Sequence, residues 1–123
     1  MIENNILKDK SFAFALRCVR LYKILKEERQ EHILSNQFLR SGTSIGANIK
    51  EGIYAQPKAD FASKLTIAKK EAGETEYWLE LMSAAEFLTV KEAESMLTDC
   101  RELLRLLIAI TKKLYGSDFN IEN

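Results

Sequence analysis

Apolar and polar residues alternate along the chain with the period of an α-helix, in four successive segments. The pattern predicts helices at about 11–28, 33–54, 57–87 and 90–115. A capping box, Thr89-Val-Lys-Glu92, fits the start of the fourth helix, and Gly116 is expected to end it. Four long helices with short links are typical of an antiparallel up-down four-helix bundle, so we expect one all-α domain spanning 1–123.

Each predicted helix carries a stripe of residues that would face the core. In the first helix the stripe consists of Phe12, Leu16, Val19 and Leu25, and Phe14, Cys18 and Tyr22 widen this face. In the third helix it keeps an unbroken four-three spacing, at Phe61, Leu65, Ala68, Ala72, Thr75, Leu79 and Met82. The second helix differs, because Ser41, Asn48 and Gly52 fall in register with its apolar residues. An unpaired polar group buried there would cost about 1–3 kcal/mol, so we expect a satisfied polar network or a functional site.

The fourth helix has two apolar stripes instead of one. The first runs through Leu97, Cys100, Leu104, Leu107, Thr111 and Leu114, and the second through Leu103, Leu106 and Ile110. A bundle core needs one stripe per helix, and monomers rarely expose a large apolar patch. We therefore expect the second stripe to bury against other subunits of a homo-oligomer, with a gain of about 25 cal/mol per Å² of apolar surface.

Composition narrows the class of protein. The 18 basic and 18 acidic residues balance, so no overall field draws the chain to nucleic acid. Cys18 and Cys100 match no metal or redox spacing and are expected to be buried free thiols. No apolar window is long enough to span a membrane, and the polar opening at residues 1–5 does not resemble a signal peptide. We therefore expect a cytoplasmic protein.

Four polar residues of the second helix share one helical face: Arg40, Ser44, Asn48 and Glu51. Glu74 of the third helix could meet them. One interpretation is a buried network, in which the arginine pairs with a carboxylate and the amide fixes the register of two helices. The other interpretation is a pocket for a small ligand, with a cation, an amide and carboxylates. Both interpretations remain open at this point.

The sequence favours neither a catalytic nor a metal site. His32 is the single histidine and lies in the first link, so no nucleophile has a matched base. Bundle metal sites combine carboxylates with helical histidines, which the acidic third helix lacks. Its carboxylates, Glu71, Glu74, Glu76 and Glu80, are expected to form a solvated face. We expect no enzyme activity, no metal and no cofactor.

Basic residues form two stripes that could contact phosphates. One consists of Arg17, Arg20 and Lys23, and the other of Arg101, Arg105 and Lys112. A ring of subunits would repeat each stripe, so several weak phosphate contacts could add up with a steep salt dependence. These six residues are the candidates for binding RNA or DNA.

The run from Arg40 to Gly52, Arg-Ser-Gly-Thr-Ser-Ile-Gly-Ala-Asn-Ile-Lys-Glu-Gly, resembles the hallmark of the 23S ribosomal-RNA intervening-sequence proteins, also called the four-helix bundle protein family. Gly46 stands where the hallmark usually has proline. The resemblance implies a cytoplasmic antiparallel bundle that assembles as a ring, commonly a homopentamer. It also implies a relationship to the accessory protein of diversity-generating retroelements, which binds nucleic acid and a reverse transcriptase.

Three hypotheses of function follow from these observations. The first is a non-enzymatic oligomeric scaffold or adaptor with weak nucleic-acid binding and a protein partner. The second is a purely structural interaction module without nucleic-acid affinity, which the balanced charge favours. The third is a small-ligand pocket at Arg40, Asn48 and Glu51.

Overall fold

Four helices make up the described part of the chain. The computed structural model describes the backbone of residues 2–122 and the side chains of residues 4–116. The helices are α1 (Ile2–Glu27), α2 (Leu34–Ile53), α3 (Lys58–Ala84) and α4 (Val90–Glu122), and residues 2–122 contain no strand. Each helix packs against the next and α4 returns to α1, while the diagonal pairs make no close backbone contact. The predicted all-α chain of four helices is thus confirmed, with short links that give an up-down order.

The core is a continuous apolar cluster between the four helices. Phe14, Phe38, Leu79 and Leu107 are fully or almost fully buried and represent one helix each. Burying a side chain of this size contributes about 1.5–3 kcal/mol to folding. On α3 the predicted stripe is buried at every position except Phe61, which is partly exposed.

The inward face of α1 is only in part the predicted one. Phe12 is 72% exposed and Leu16 is 41% exposed, so both point away from the core. The buried residues of α1 are Leu7, Ser11, Phe14, Cys18, Leu21 and Leu25. They keep an unbroken four-three spacing, and Phe14, Cys18 and Leu25 were part of the predicted face. The prediction was wrong for Phe12 and Leu16, because apolar residues recur at helical spacing on two sides of α1 and the buried side includes a polar serine.

Three helix ends also differ from the predicted bounds. α1 begins at Ile2 rather than near residue 11, because Leu7 is only 1% exposed and packing of this residue extends the helix. α3 ends at Ala84 rather than near 87, because Glu86 adopts a positive φ of 68° that helices do not allow. α4 continues past Gly116, since no glycine in the described backbone adopts the left-handed conformation with which glycine ends helices.

Small residues let α1 and α2 approach each other closely. A Cβ atom added at Gly42 would lie 2.6 Å from Cys18 Sγ and 3.3 Å from Cys18 Cβ. A Cβ atom at Gly46 would lie 3.3 Å from Ser11 Oγ. Both glycines therefore mark the α1 side of α2, and the polar motif of α2 is directed towards α3 and solvent.

The Glu92 carboxylate, in the first turn of α4, connects the α1–α2 link with the α3–α4 link. Arg29 donates to the two carboxylate oxygens of Glu92 at 2.9 and 2.7 Å, and to the Phe87 carbonyl at 2.7 Å. The predicted capping box is confirmed, because the Thr89 amide donates to Glu92 at 2.8 Å and the Glu92 amide to the Thr89 hydroxyl at 3.1 Å. The Arg29 hydrogen bonds first, and the Thr89 amide second, lower the pKa of Glu92 to about 2.

Glu31 caps the start of α2, as Glu92 and Thr89 cap the start of α4. Its carboxylate accepts hydrogen bonds from the amides of Ile33, Leu34 and Ser35, at 3.2, 3.0 and 2.6 Å. Burial raises the pKa of Glu31, but the three amides favour the charged form more strongly, so the net shift is downward. The carboxylate thus satisfies helix amides that Ile33, the residue before the helix, cannot cap with its side chain.

We predict that acid destabilises the chain through this end of the bundle. The folded pKa of Glu92 lies below the ordinary value of 4.5, so its stabilising effect is complete above pH 4.5 and is lost as the pH falls towards 2. Between about pH 5 and about pH 3, urea midpoints should therefore fall less steeply for Glu92→Gln than for the unmodified chain. Glu94→Gln, an equal charge change at an exposed position of α4, should keep the original slope. Equal slopes in the two variants would contradict the role of Glu92.

Candidate functional site

The polar motif of α2 satisfies its hydrogen bonds mostly within the helix. Arg40 is exposed, while Ser44 and Asn48 are half-buried. The Ser44 hydroxyl donates to the Arg40 carbonyl at 2.6 Å, and the Asn48 side-chain amide donates to the Ser44 carbonyl at 2.8 Å. These bonds stay inside one helix, so they do not fix the register between α2 and its neighbours.

The acidic members of the predicted network lie at two separate places. Glu51 is exposed near the end of α2, where Lys64 of α3 contacts it at 3.2 Å. Glu74 is exposed beside Glu71. Burial first and the Glu74 carboxylate second raise the pKa of Glu71, while Arg40 opposes the shift. The charge of Arg40 thus acts on Glu71, although Arg40 forms no ion pair within 4.0 Å in the described part of the chain.

The prediction of one buried network is wrong for the isolated chain, because Arg40, Glu51 and Glu74 are exposed and dispersed. Glu51 borders an open groove of about 580 Å³, together with Ala47, Lys50, Tyr54 and Lys64. This groove lies open at the end of α2. The motif residues thus form a polar outer surface along the contact of α2 with α3.

The buried polar contact between α2 and α3 is made by a different pair of residues. The Thr75 hydroxyl donates to Ser41 Oγ at 2.9 Å, and the Ser41 hydroxyl donates to the Phe38 carbonyl at 3.2 Å. Thr75 Oγ1 also lies 2.8 Å from the Glu71 carbonyl. Both side chains are at most 2% exposed. The sequence signal was present, since Ser41 and Thr75 were the hydroxyl residues on the two predicted inward stripes.

Intramolecular carboxylates already neutralise two of the six nucleic-acid candidates. Arg17 donates to Asp99 at 2.6 Å and to the Ser95 hydroxyl at 2.7 Å. Arg101 donates to Glu76 at 2.8 Å and to a second carboxylate, Glu80, at 3.3 Å. The exposed candidates without an ion pair to any described residue are Arg20, Lys23, Arg105 and Lys112.

The structure does not bring these six residues into one patch. Arg17 lies between α1 and α4, opposite Asp99, whereas Arg101 lies between α4 and α3, opposite Glu76. Arg105 and Lys112 continue along the second half of α4. The two predicted stripes therefore occupy different faces of the bundle.

The two buried thiols, Cys18 and Cys100, are poor nucleophiles. Burial is the main cause that raises the pKa of Cys100 to about 12 and raises the pKa of Cys18 still further. Both thiols are therefore protonated at neutral pH, and the protonated form is a poor nucleophile. Within the described residues, no group of three or more His, Cys, Asp or Glu side chains could hold a metal ion.

The second apolar stripe of α4 packs in part against its own chain. Leu103 is 1% exposed and belongs to the core, which corrects the expectation that this stripe needs another subunit throughout. Leu106 and Ile110 are half-buried, and they border an apolar groove of about 330 Å³ with Ile6 of α1. A second groove of about 420 Å³ follows the same α1–α4 edge near Arg20 and Met96. Among the four neighbouring helix pairs, α1 and α4 also make the fewest close backbone contacts, so this edge is loosely packed.

The four helices and the motif on the second of them define the chain as a small bundle protein. A family model described as 23S rRNA-intervening sequence protein matches residues 3–109. The chain belongs to this family. Within residues 2–122, no helix combines the length and the apolar character needed to cross a membrane.

A solved structure supports the assignment. It is the crystal structure of a protein with unknown function from the S23 ribosomal protein family of Bacteroides thetaiotaomicron VPI-5482. The two chains are 55% identical, with a TM-score of 0.88, and the match covers 89% of this chain and 98% of that one. A comparison with curated proteins finds no match.

The buried contact between Thr75 and Ser41 should contribute more to folding than the bond from Asn48 to the Ser44 carbonyl. We predict that Thr75→Val lowers the free energy of unfolding by about 1 kcal/mol, because it removes a buried hydrogen bond with little change in volume. Asn48→Leu should change it by less than about 0.5 kcal/mol, because the amide only bonds its own helix at a half-buried position. Urea denaturation of both variants measures the difference. A larger loss for Asn48→Leu would restore the network interpretation.

Proposed function

We propose that the chain is a non-enzymatic, cytoplasmic bundle that self-associates and serves as a scaffold or adaptor. The observation that carries the proposal is the apolar surface that a single chain leaves uncovered. Phe12 is 72% exposed, and Ile33 and Tyr54 are 76% and 73% exposed. Isolated exposed apolar residues are common, but a large side chain exposed beside a second one is typical of an interaction surface. Phe12 and Leu16 are such a pair, one turn apart on α1.

The loosely packed α1–α4 edge supports the same proposal. The groove bordered by Ile6, Leu106 and Ile110 is lined almost entirely by apolar side chains. Covering such surface with another chain would gain about 25 cal/mol per Å². The non-enzymatic part of the proposal is supported by the protonated core thiols and by the engagement of Glu76 and Glu80 with Arg101.

Light scattering coupled to gel filtration tests self-association directly. We expect a particle mass that is a multiple of 14.1 kDa at micromolar concentration. The ring of five subunits that the family resemblance implies would appear as a fivefold multiple. A mass of one chain across the whole concentration range would overturn the proposal.

Nucleic acid is the second candidate partner. The observation that favours it is the pair Arg105 and Lys112, which lie exposed on one side of α4 without an ion pair to any described residue. The balanced total charge weakens non-specific binding. A useful affinity would therefore require an oligomer that repeats the two cations, since each phosphate contact adds its own salt dependence.

Fluorescence anisotropy with a structured ribosomal-RNA fragment tests this second candidate. The unmodified chain should bind with an affinity that falls steeply as salt rises, and Arg105→Glu with Lys112→Glu should abolish binding. The matched control is Lys50→Glu with Lys58→Glu, an equal charge change at two exposed positions near the α2–α3 link. Equal losses in the two double variants would indicate a response to net charge alone. Absence of binding at low salt would reject nucleic acid as a partner.

A further inference from the structure

One groove on the α1–α4 edge combines an apolar floor with a basic rim. We call it the Arg20 groove; its volume is about 420 Å³, and it lies where the second half of α1 meets the first two turns of α4. Its floor consists of Leu21, Ile24 and Met96, of which Leu21 and Met96 are 8% and 4% exposed. Small-molecule sites are typically concave, about 300–1,000 Å³ in volume, and mostly apolar with a few polar groups that orient the ligand. The Arg20 groove fits this description in size and in lining.

The rim of the Arg20 groove carries an excess of positive charge. Three cations border it: Arg17, Arg20 and Lys91. The one carboxylate among its described lining residues, Glu92, is already bound by Arg29 through both oxygens. Arg17 is likewise matched by a carboxylate of α4 at 2.6 Å. Arg20 and Lys91 form no ion pair with any described residue, so two positive charges remain unmatched at the groove.

Two hydroxyl groups of the rim add hydrogen-bond donors to these charges. Ser95 Oγ accepts a hydrogen bond from Arg17 at 2.7 Å, and Thr89 Oγ1 accepts one from the Glu92 amide at 3.1 Å. A hydroxyl that accepts a hydrogen bond can still donate its own proton. Positive charge together with hydrogen-bond donors is the combination that binds a carboxylate or a phosphate. The rim therefore suits the anionic head of a ligand.

The floor of the groove indicates the body of that ligand. Leu21, Ile24 and Met96 are aliphatic, and no aromatic side chain is among the described residues that line the groove. Proteins commonly hold nucleobases by stacking them on aromatic side chains. The floor therefore favours an aliphatic chain over a base, and a compound with an anionic head and an aliphatic chain would contact both parts of the groove.

We propose that the Arg20 groove binds a small amphipathic anion, with its carboxylate or phosphate head at Arg20 and Lys91 and its aliphatic chain on the apolar floor. Short fatty acids and alkyl phosphates are ligands of this class. A single chain provides every residue of the site, so the inference goes beyond the scaffold function and does not depend on self-association. It is also distinct from nucleic-acid binding, because the site recognises an aliphatic chain in addition to the anionic group.

Isothermal titration calorimetry with octanoate and octyl phosphate tests the proposal. We expect a dissociation constant of about 100 μM for the better of the two, which lies within the ligand-efficiency range of small compounds. The tighter of the two identifies the preferred head group. Sodium phosphate lacks the chain and octanol lacks the charge, so each should bind about tenfold more weakly or less.

A series of alkyl carboxylates tests the role of the apolar floor. From butanoate to octanoate, the affinity should rise about threefold for each added CH₂ group, because each group buries further apolar surface. Equal affinities along the series would overturn the proposal, since a surface that only attracts negative charge does not distinguish chain lengths. Absence of binding by both octanoate and octyl phosphate at millimolar concentration would overturn it as well.

Removal of the two unmatched charges tests the rim. Arg20→Gln with Lys91→Gln should weaken octanoate binding about tenfold. The matched control is Lys50→Gln with Lys58→Gln, an equal charge change at exposed positions near the α2–α3 link, at the other end of the bundle. This control should leave the affinity within about twofold of the original, because charges this far away are screened by salt. Equal losses in the two double variants would overturn the site, and thermal unfolding verifies that each variant is folded.

Chemical-shift changes in ¹H–¹⁵N spectra locate the ligand on the chain. Octanoate should shift the amide signals of Ile24 and Met96 in the Arg20 groove. It should leave the signals of Ile6 and Ile110 unchanged, because these residues border the separate apolar groove of about 330 Å³ on the same edge. Larger shifts at Ile6 and Ile110 would place the ligand in that other groove and overturn the proposal.

The outcomes separate this inference from the proposed function. A chain that is monomeric at every concentration but binds octanoate rejects the scaffold and retains the site. A chain that self-associates but binds neither amphipathic anion retains the scaffold and loses the site. If Arg20→Gln with Lys91→Gln abolishes RNA binding and the unmodified chain does not bind octanoate, the two cations contact nucleic-acid phosphates and the inference is overturned.

Discussion

The close contact between Gly42 of α2 and Cys18 of α1 determines how α1 is rotated in the bundle. Because a Cβ atom at position 42 would lie 2.6 Å from the sulfur, a larger residue there would push the two helices apart. Cys18 faces inward at this contact and is fully buried. On a helix this orientation also turns Phe14 and Leu25 inward, and it turns Phe12 and Leu16 outward. The exposed apolar surface of α1 is therefore a direct consequence of tight core packing.

The same contact explains which parts of the fold could be predicted from the sequence. On α3 a single stripe of three-four spacing exists, so the inward face from Leu65 to Met82 was predicted correctly. On α1 apolar residues recur at helical spacing on two sides, and Ser11 obscures the longer, buried series. The choice is made by partners on another helix, such as Gly46 against Ser11, and no local pattern contains that information. The helix ends were misjudged for a related reason, since packing of Leu7 extends α1 beyond its apolar pattern.

The candidate site shows a similar division between local and long-range information. The sequence correctly placed Arg40, Ser44 and Asn48 on one face of α2, because that follows from helical geometry alone. It did not reveal that Ser44 and Asn48 bond to carbonyls of their own helix. Nor could it reveal which cations are neutralised, because Arg17 and Asp99 are brought together only when α1 packs beside α4. Spacing along one helix finds a stripe of charge, but the charge that remains available depends on the neighbouring helix.

The two proposed properties, self-association and nucleic-acid binding, are connected through charge. Of the six candidates, Arg20, Lys23, Arg105 and Lys112 are exposed and form no ion pair with a described residue. A few cations on a chain with no net charge provide little affinity alone, whereas an oligomer would multiply them. The proposed nucleic-acid binding therefore requires the proposed self-association, while self-association does not require nucleic acid.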